Sequence, residues 1–482
     1  MKSSSKQLVR GTSFYTLSKL LTKVGLFLLL PLFTRYITPE EYGVIELLRP
    51  IINFIPLFFT FGLYTAQTRY YFEIREEEKI KEYIFTLNSF LWVVTIIILF
   101  FLHSPLKFIL GKIIDYNKVN FYPYIFLALI AGFVKLYVHM ARNYFKVIKK
   151  YSRVAIGNII GFIAFAVISI TLIVYLDYGV LGYMVAFLCY QSLLLYIFYF
   201  KYIKNIKWSF NKERLRQSLA IGLPISLSSI TGVILGYSDR IVLSNFLAME
   251  VVGTYSLAYN GGLILTVLIS SFNSTWLPIF NELMGSERDN KYKIVKERLT
   301  QFVLFIVFIC LIGQMLGKEV ITLIFPAEYN PTIQYLPFVL FAIVFTGINH
   351  YLKNILIYHE DTLYFPLFAI VSAVINLGIN IIFIPKFGPL VAAISTIISY
   401  LLITIIYISF IKFKYKNYDF EYIKIIFILF FSMNPLLILL LKREIGIYTF
   451  LFKLTYLIIF IMIFRESIIN FIQLLLKSNR GD

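Results

Sequence analysis

Lys19 and Lys23 stand four residues apart in a run over 11–36 that is largely apolar and contains no acid. Over 42–69, Glu46, Arg49, Asn53, Thr60, Tyr64 and Gln67 recur at helical spacing on one stripe. Lys135, His139, Arg142 and Lys146 do the same over 121–146. Later segments answer with Ser226, Ser229 and Arg240, then Thr346, His350 and Lys353, then Ser372, Asn376 and Asn380. A charge at the centre of a membrane helix costs about 2.5–3.5 kcal/mol on the insertion scale, so such groups face a watery cavity or a partner. Their sign is informative. Lys19, Lys23, Arg49, Lys135 and Arg142 make a mainly cationic set, which suits an anionic head such as a phosphate or diphosphate. The neighbouring hydroxyls and amides suit sugar hydroxyls, and Tyr64, Tyr237 and Tyr259 are placed to stack on sugar rings.

Each of these groups also has a purely structural reading. Glu46 and Arg49 are one turn apart and can neutralise each other; Asp239 and Arg240 can form a local pair. Arg142, Lys146 and Lys453 can snorkel to a surface, and His139 and His350 can serve as hydrogen-bonded packing groups. Lys19 and Lys23 resist this treatment, because both are cationic and neither has an acid in its own segment.

The elements that must position these residues follow from composition. Of 482 residues, 59% are hydrophobic and 15% charged, against roughly 25% charged in soluble domains, and the mean hydropathy is +0.79. Apolar stretches of about 20 residues, long enough to cross a bilayer as helices, recur from end to end. Fourteen are read: 11–36, 42–69, 82–103, 121–146, 153–176, 179–203, 218–247, 251–279, 298–317, 332–358, 362–384, 387–412, 420–441 and 446–469. The chain is therefore expected to be an all-α polytopic membrane protein of about fourteen transmembrane helices.

Lysine and arginine concentrate in alternate connections, notably 201–216 and 288–298, which puts both termini on the cytoplasmic side. The net charge of +19 is thereby accounted for by topology, and no nucleic-acid partner is expected. The start, MKSSSKQLVRGTSFYTL, leads into an apolar run with no small-residue cleavage site, so no cleavable signal is expected. Cys189 and Cys310 both lie in apolar runs, so neither a disulfide framework nor a cysteine metal site is expected. No G-x-x-x-x-G-K phosphate loop occurs, which argues against a primary pump. No cofactor is expected.

The chain also repeats itself. At an offset of about 210, Leu17-Ser18 falls on Leu227-Ser228, Gly43 on Gly253 and Leu47 on Leu257. With a drift of one position, His139 meets His350, Arg142 meets Lys353, and Gly179 meets Gly388. Six spans separate the copies, an even number, so both face the same way as parallel repeats. The expected organisation is an N-terminal lobe over 1–203, a cytoplasmic connector over 204–217, a C-terminal lobe over 218–416, and two further helices with a tail over 417–482.

The segments GTSFYTLSKLLTKVGLFLLLPLFTRYITPEEYGVIEL (11–47), FGLYTAQTRYYFE (61–73) and INIIFIPKFGPLVAAIST (379–396) carry a resemblance to the polysaccharide-biosynthesis flippases for O-antigen and capsule units. These belong to the multidrug/oligosaccharidyl-lipid/polysaccharide exporter superfamily. The resemblance implies two six-helix lobes around a central cavity, alternating access, and no enzymatic step. It implies an undecaprenyl-diphosphate-linked oligosaccharide as substrate, in the cytoplasmic (inner) membrane among bilayer lipids, with a polysaccharide polymerase and a chain-length regulator as candidate partners. The substrate-binding set is then Lys19, Lys23, Arg49, Asn53, Lys135, His139, Arg142, Arg240, His350 and Lys353. Two other classes compete. An ion-coupled multidrug antiporter of the same superfamily would favour intramembrane acids, of which Glu46 and Asp239 are the main candidates. A membrane polymerase or ligase would be expected to need a larger outer loop than 104–120 or 318–331.

Overall fold

The computed structural model describes residues 2–74, 76–101, 105–204, 206–361, 364–440, 453 and 455–465. Among them every regular element is helical. Eleven helices are long and apolar enough to cross a membrane, or twelve if Lys212–Leu227 and Gly232–Phe246, bent by 45°, form one span. Shorter apolar helices over Tyr422–Met433 and Thr455–Arg465 fall where the thirteenth and fourteenth spans are expected. Residues 441–452 and 466–482, which the last two expected spans include in part, lie outside the described residues.

The chain divides into two compact units, 1–253 and 254–482. The first contains α1 (Lys2–Phe33), α2 (Pro39–Phe59), α3 (Leu63–Glu73), α4 (Glu77–Phe101) and α5 (Pro105–Gly111). It continues with α6 (Phe126–Val147), α7 (Tyr151–Ile170), α8 (Gly179–Leu194), α9 (Phe200–Ile203), α10 (Lys212–Phe246) and the start of α11 (Met249–Gly261). The second holds the rest of α11, then α12 (Leu263–Gly285), α13 (Lys291–Ile324), α14 (Thr332–Tyr358), α15 (Tyr364–Phe387), α16 (Leu390–Lys414) and α17 (Tyr422–Leu440). The division differs by one helix from the boundary expected at 204–217. The reason is packing: α10 lies along α2 and α3, and Ser226 Oγ donates to the Leu57 carbonyl at 2.9 Å.

In the first unit α1 packs on α7, while α2 is enclosed by α6, α8 and α10. Local sequence sets the start of α2. Thr38 Oγ1 accepts from the Glu41 amide at 3.3 Å, and Glu41 Oε2 accepts from the Thr38 amide at 3.0 Å. Pro39 opens the first turn, so the three residues form a capping box with a preset φ. The span then breaks between α2 and α3, where Phe61 and Gly62 both take positive φ, 48° and 67°. Gly43 on α2 and Gly253 on α11 meet backbone to backbone. A Cβ on Gly43 would fall on the Met249 carbonyl, and one on Gly253 on the Pro39 carbonyl. Pro39 and Met249 are themselves mates at the offset of 210, so the contact is reciprocal. Gly179 and Gly388, also mates, both adopt positive φ at the start of a helix, 43° and 80°, a region open to glycine without steric cost.

In the second unit α14 forms the centre, packed by α12, α13, α16 and α17. It is the most enclosed of the described spans, and α1 is the least.

Candidate functional site

The first unit gathers a cluster of buried and half-buried charges on three helices. Glu46, Arg49 and Asn53 lie at i, i+3 and i+7 on α2, so they share one face. Glu46 is 1% exposed, and its Oε1 meets Arg49 Nη1 at 2.7 Å. The second nitrogen of Arg49 donates to Tyr183 Oη on α8 at 3.0 Å. From α10, Arg240 brings its Nε to 4.0 Å from Glu46 Oε2 and its Nη1 to 3.3 Å from Asp239 Oδ1. Asp239 also accepts from the Arg240 amide at 2.8 Å. The one-turn pair Glu46–Arg49 and the neighbour pair Asp239–Arg240 thus both form, and Arg240 links them.

Lys135 on α6 completes the cluster. Its ammonium donates to Asn53 Oδ1, and Asn53 Nδ2 donates to Tyr237 Oη on α10 at 3.2 Å. Three cations therefore face two carboxylates, and Lys135 has no carboxylate partner among the described residues. Burying an ion is tolerable only when it is paired and its remaining valences are hydrogen-bonded. An amide oxygen meets part of that need and leaves the charge itself uncompensated, which favours a site that accepts an anion.

The other expected residues extend or leave this cluster. His139 and Arg142 continue the Lys135 face of α6, at i+4 and i+7. The His139 ring meets Tyr64 edge-on at 4.8 Å, and the Arg142 guanidinium lies 5.6 Å from the Phe198 ring. Arg142 Nε is buried without an acceptor among the described residues. Lys19 and Lys23 are exposed on α1. Lys19 lies 4.6 Å from the Tyr15 ring, which Lys146 also approaches at 5.7 Å. The part of α1 that reaches Arg49 is apolar, with Leu26, Leu30 and Phe33 lining a narrow crevice beside it. In the second unit His350 is exposed, and Lys353 Nζ stands 5.8 Å from the Phe365 ring. Lys453 does not snorkel alone but pairs with Glu319 at 2.6 Å.

Tyr183 belongs to the site and carried no signal in sequence: it is one of 36 tyrosines, 134 positions from the arginine it binds. Asn143 donates to the Tyr64 carbonyl at 2.6 Å, tying α6 to α3 just past the break. Among the described residues no group of three or more His, Cys, Asp or Glu side chains could hold a metal ion. Outside the spans, His359 has its pKa lowered by burial and by Lys414, against an opposing effect of Asp361.

The family model described as polysaccharide biosynthesis protein matches residues 8–284. An uncharacterized membrane protein of Methanocaldococcus jannaschii is 23% identical over 479 residues, covering 90% of each chain. Among solved structures, the lipid II flippase MurJ in an inward closed conformation aligns with a TM-score of 0.73 at 18% identity, over 94% of this chain and 99% of that one. An inward-facing multidrug resistance MATE family transporter of the MOP superfamily aligns with a TM-score of 0.65 at 15% identity, over 83% and 94%. The polytopic helical fold is shared with both.

Proposed function

The chain belongs to the polysaccharide biosynthesis protein family, and from that premise we propose that it flips undecaprenyl-diphosphate-linked oligosaccharides across the cytoplasmic membrane for surface polysaccharide assembly. The observation that carries this reading is Lys135, a cation held by an amide beside two arginines whose carboxylate partners already sit in place. Glu46 and Asp239 serve as internal stand-ins for an anion, keeping Arg49 and Arg240 paired while no substrate is bound. An arriving diphosphate is drawn to Lys135, competes with Glu46 for Arg49, and shifts the balance of charge across α2, α6 and α10. Each charge-assisted contact contributes about 1.5–3 kcal/mol. Arg142 and His139 extend the cationic face along α6, and Lys19 and Lys23 offer an exposed first contact on α1. A membrane potential supplies about 2.3 kcal/mol per unit charge per 100 mV, enough to bias the cycle.

Both termini and the 204–217 connector face the cytoplasm in this scheme. The test is glycan export in a flippase-deletion host carrying Lys135→Gln. Export should fall tenfold or more with the protein inserted and abundant; normal export would overturn the reading. An ion-coupled antiporter is the second reading, favoured by the burial of Glu46 and Asp239. It predicts that drug resistance, rather than glycan export, responds to Glu46→Gln.

A further inference from the structure

The second unit contains a cavity of about 540 Å³ lying between α12 and α13, within the usual size range of small-molecule sites. None of its lining residues belongs to the charged cluster on α2, α6 and α10. Its two ends differ in chemistry. Ser286 and Arg288 line it where α12 turns into α13, Arg298 lines it seven residues into α13, and Phe272, Trp276 and Phe305 line its apolar part beside the hydroxyls of Ser271 and Thr275. Trp276 lies nine residues before the end of α12 at Gly285, or about 13 Å along the helix axis. The cavity therefore runs from the turn into the span, with both arginines nearer the turn than Phe272 and Phe305. A bilayer lipid likewise carries its charge at the end nearer the surface.

The charges at the polar end are available. Lys291 is occupied by the carbonyls of Met284 and Ser286 at 3.2 and 3.1 Å, and Lys296 faces Asp419 at 3.7 Å. Arg288 and Arg298 have no acidic partner among the described residues; Arg298 Nη1 donates to Gln301 Oε1 at 2.8 Å. Glu282 is the one acid in the lining, so two guanidiniums against one carboxylate leave one positive charge. That matches a phosphodiester monoanion better than a diphosphate. Trp276 supplies the independent sign of a missing ligand. It is 5% exposed, and its indole N–H is buried without an acceptor among the described residues, although a buried donor left unsatisfied costs about 1–3 kcal/mol.

We propose that this cavity holds an anionic phospholipid of the bilayer, its phosphodiester on Arg288 and Arg298, an ester carbonyl accepting from the Trp276 N–H, and one acyl chain along Phe272 and Phe305. Basic pockets between membrane helices at the cytoplasmic surface recognise lipid heads in this way. This lipid is expected there whatever the transported substrate is.

The test uses the full chain in neutral detergent with Trp92→Phe and Trp208→Phe, which leaves Trp276 as the reporter among the three tryptophans. Bromine-labelled phosphatidylglycerol should quench it saturably, at concentrations at least fivefold below those needed for labelled phosphatidylcholine. Adding R288Q and R298Q should abolish the preference. Equal quenching by both lipids, or a preference that survives the two substitutions, overturns the proposal. So does displacement of the labelled lipid by millimolar inorganic phosphate, or by undecaprenyl phosphate at lower concentration than unlabelled phosphatidylglycerol. Should the tryptophan variants fail to fold, native mass spectrometry of the unmodified chain against R298Q decides. One retained phosphatidylglycerol, lost in the variant, supports the site, and equal retention sinks it.

Discussion

The two units solve the burial of polar groups differently. In the first, α2, α6 and α10 enclose Glu46, Arg49, Lys135, Asp239 and Arg240. In the second, α15 and α16 enclose only amides and hydroxyls. There Ser395 Oγ donates to Asn380 Oδ1 at 2.5 Å, Asn376 Nδ2 donates to Ser395 Oγ at 3.2 Å, and Ser372 Oγ donates to the Ser399 carbonyl at 2.7 Å. Thr404 donates to Asn349 Oδ1 at 2.9 Å, and Asn349 donates onward to the Tyr400 carbonyl at 3.2 Å. A neutral network of this kind closes on itself and rigidifies its helices. The charged cluster does not close, because its third cation has no acid. Duplication cannot be the cause. At the repeat offset Glu46 falls on Ser256, Arg49 on Tyr259 and Lys135 on Thr346, while Asp239 and Arg240 of the second copy fall on Leu29 and Leu30, so no charge of the cluster has a charged mate. A repeat supplies two similar frames, and the charges were placed on each of them independently of its mate.

That contrast can be broken most directly at its charges. Arg49→Gln and Lys135→Gln should each lower glycan export tenfold or more in a flippase-deletion host. Tyr259→Phe and Thr346→Val, at the matching positions of the second copy, should change it less than threefold. Comparable losses from both sets would erase the distinction.

Glu46→Gln should act first on stability, since it strips the buried Arg240 and the half-buried Arg49 of a shared carboxylate, a change that costs up to about 3–5 kcal/mol where a pair is fully buried. Membrane abundance should fall, and the double variant Glu46→Gln/Arg49→Gln should recover abundance without recovering export. Recovery of both would mean that the pair is only structural. Export that falls while abundance holds in the single variant would assign Glu46 a direct role.

The frames themselves differ less. Gly43→Ala and Gly253→Ala should both reduce the folded fraction in detergent, because each new methyl meets a carbonyl of the opposite helix. Gly378→Ala, whose Cβ would meet nothing within 4 Å, should be neutral. Equal tolerance at all three positions would deny the reciprocal contact.

The smallest effect is set by His359 in the second unit, stacked on Tyr415 at 4.0 Å and bonded to Tyr418 Oη at 3.2 Å. Its folded pKa is lowered, so the fold favours the neutral ring. That contribution is full above the unfolded pKa of about 6.5 and is lost as pH falls from there through the folded value. The unfolding temperature should decline slightly from pH 7.5 to 5.5, and His359→Asn should flatten the decline.

What the sequence determined by itself is the set of elements. The hydropathy windows 179–203 and 332–358 coincide with helical spans in the structure, because a bilayer helix must satisfy its backbone internally and face lipid with apolar groups. Those demands are local. The one-turn pair Glu46–Arg49 and the neighbour pair Asp239–Arg240 were legible for the same reason, since each pair is set by local spacing alone. Nothing local could join Lys135 to Asn53 across 82 positions, or tell Tyr183 from other tyrosines. Nor could it separate Lys19 and Lys23, which remain exposed on α1, from the buried cations they resemble in sequence. Packing decided these matters: which helix lies against α2 determines which side chains are desolvated together, and a charge becomes a site only through the partners that tertiary structure gives or withholds.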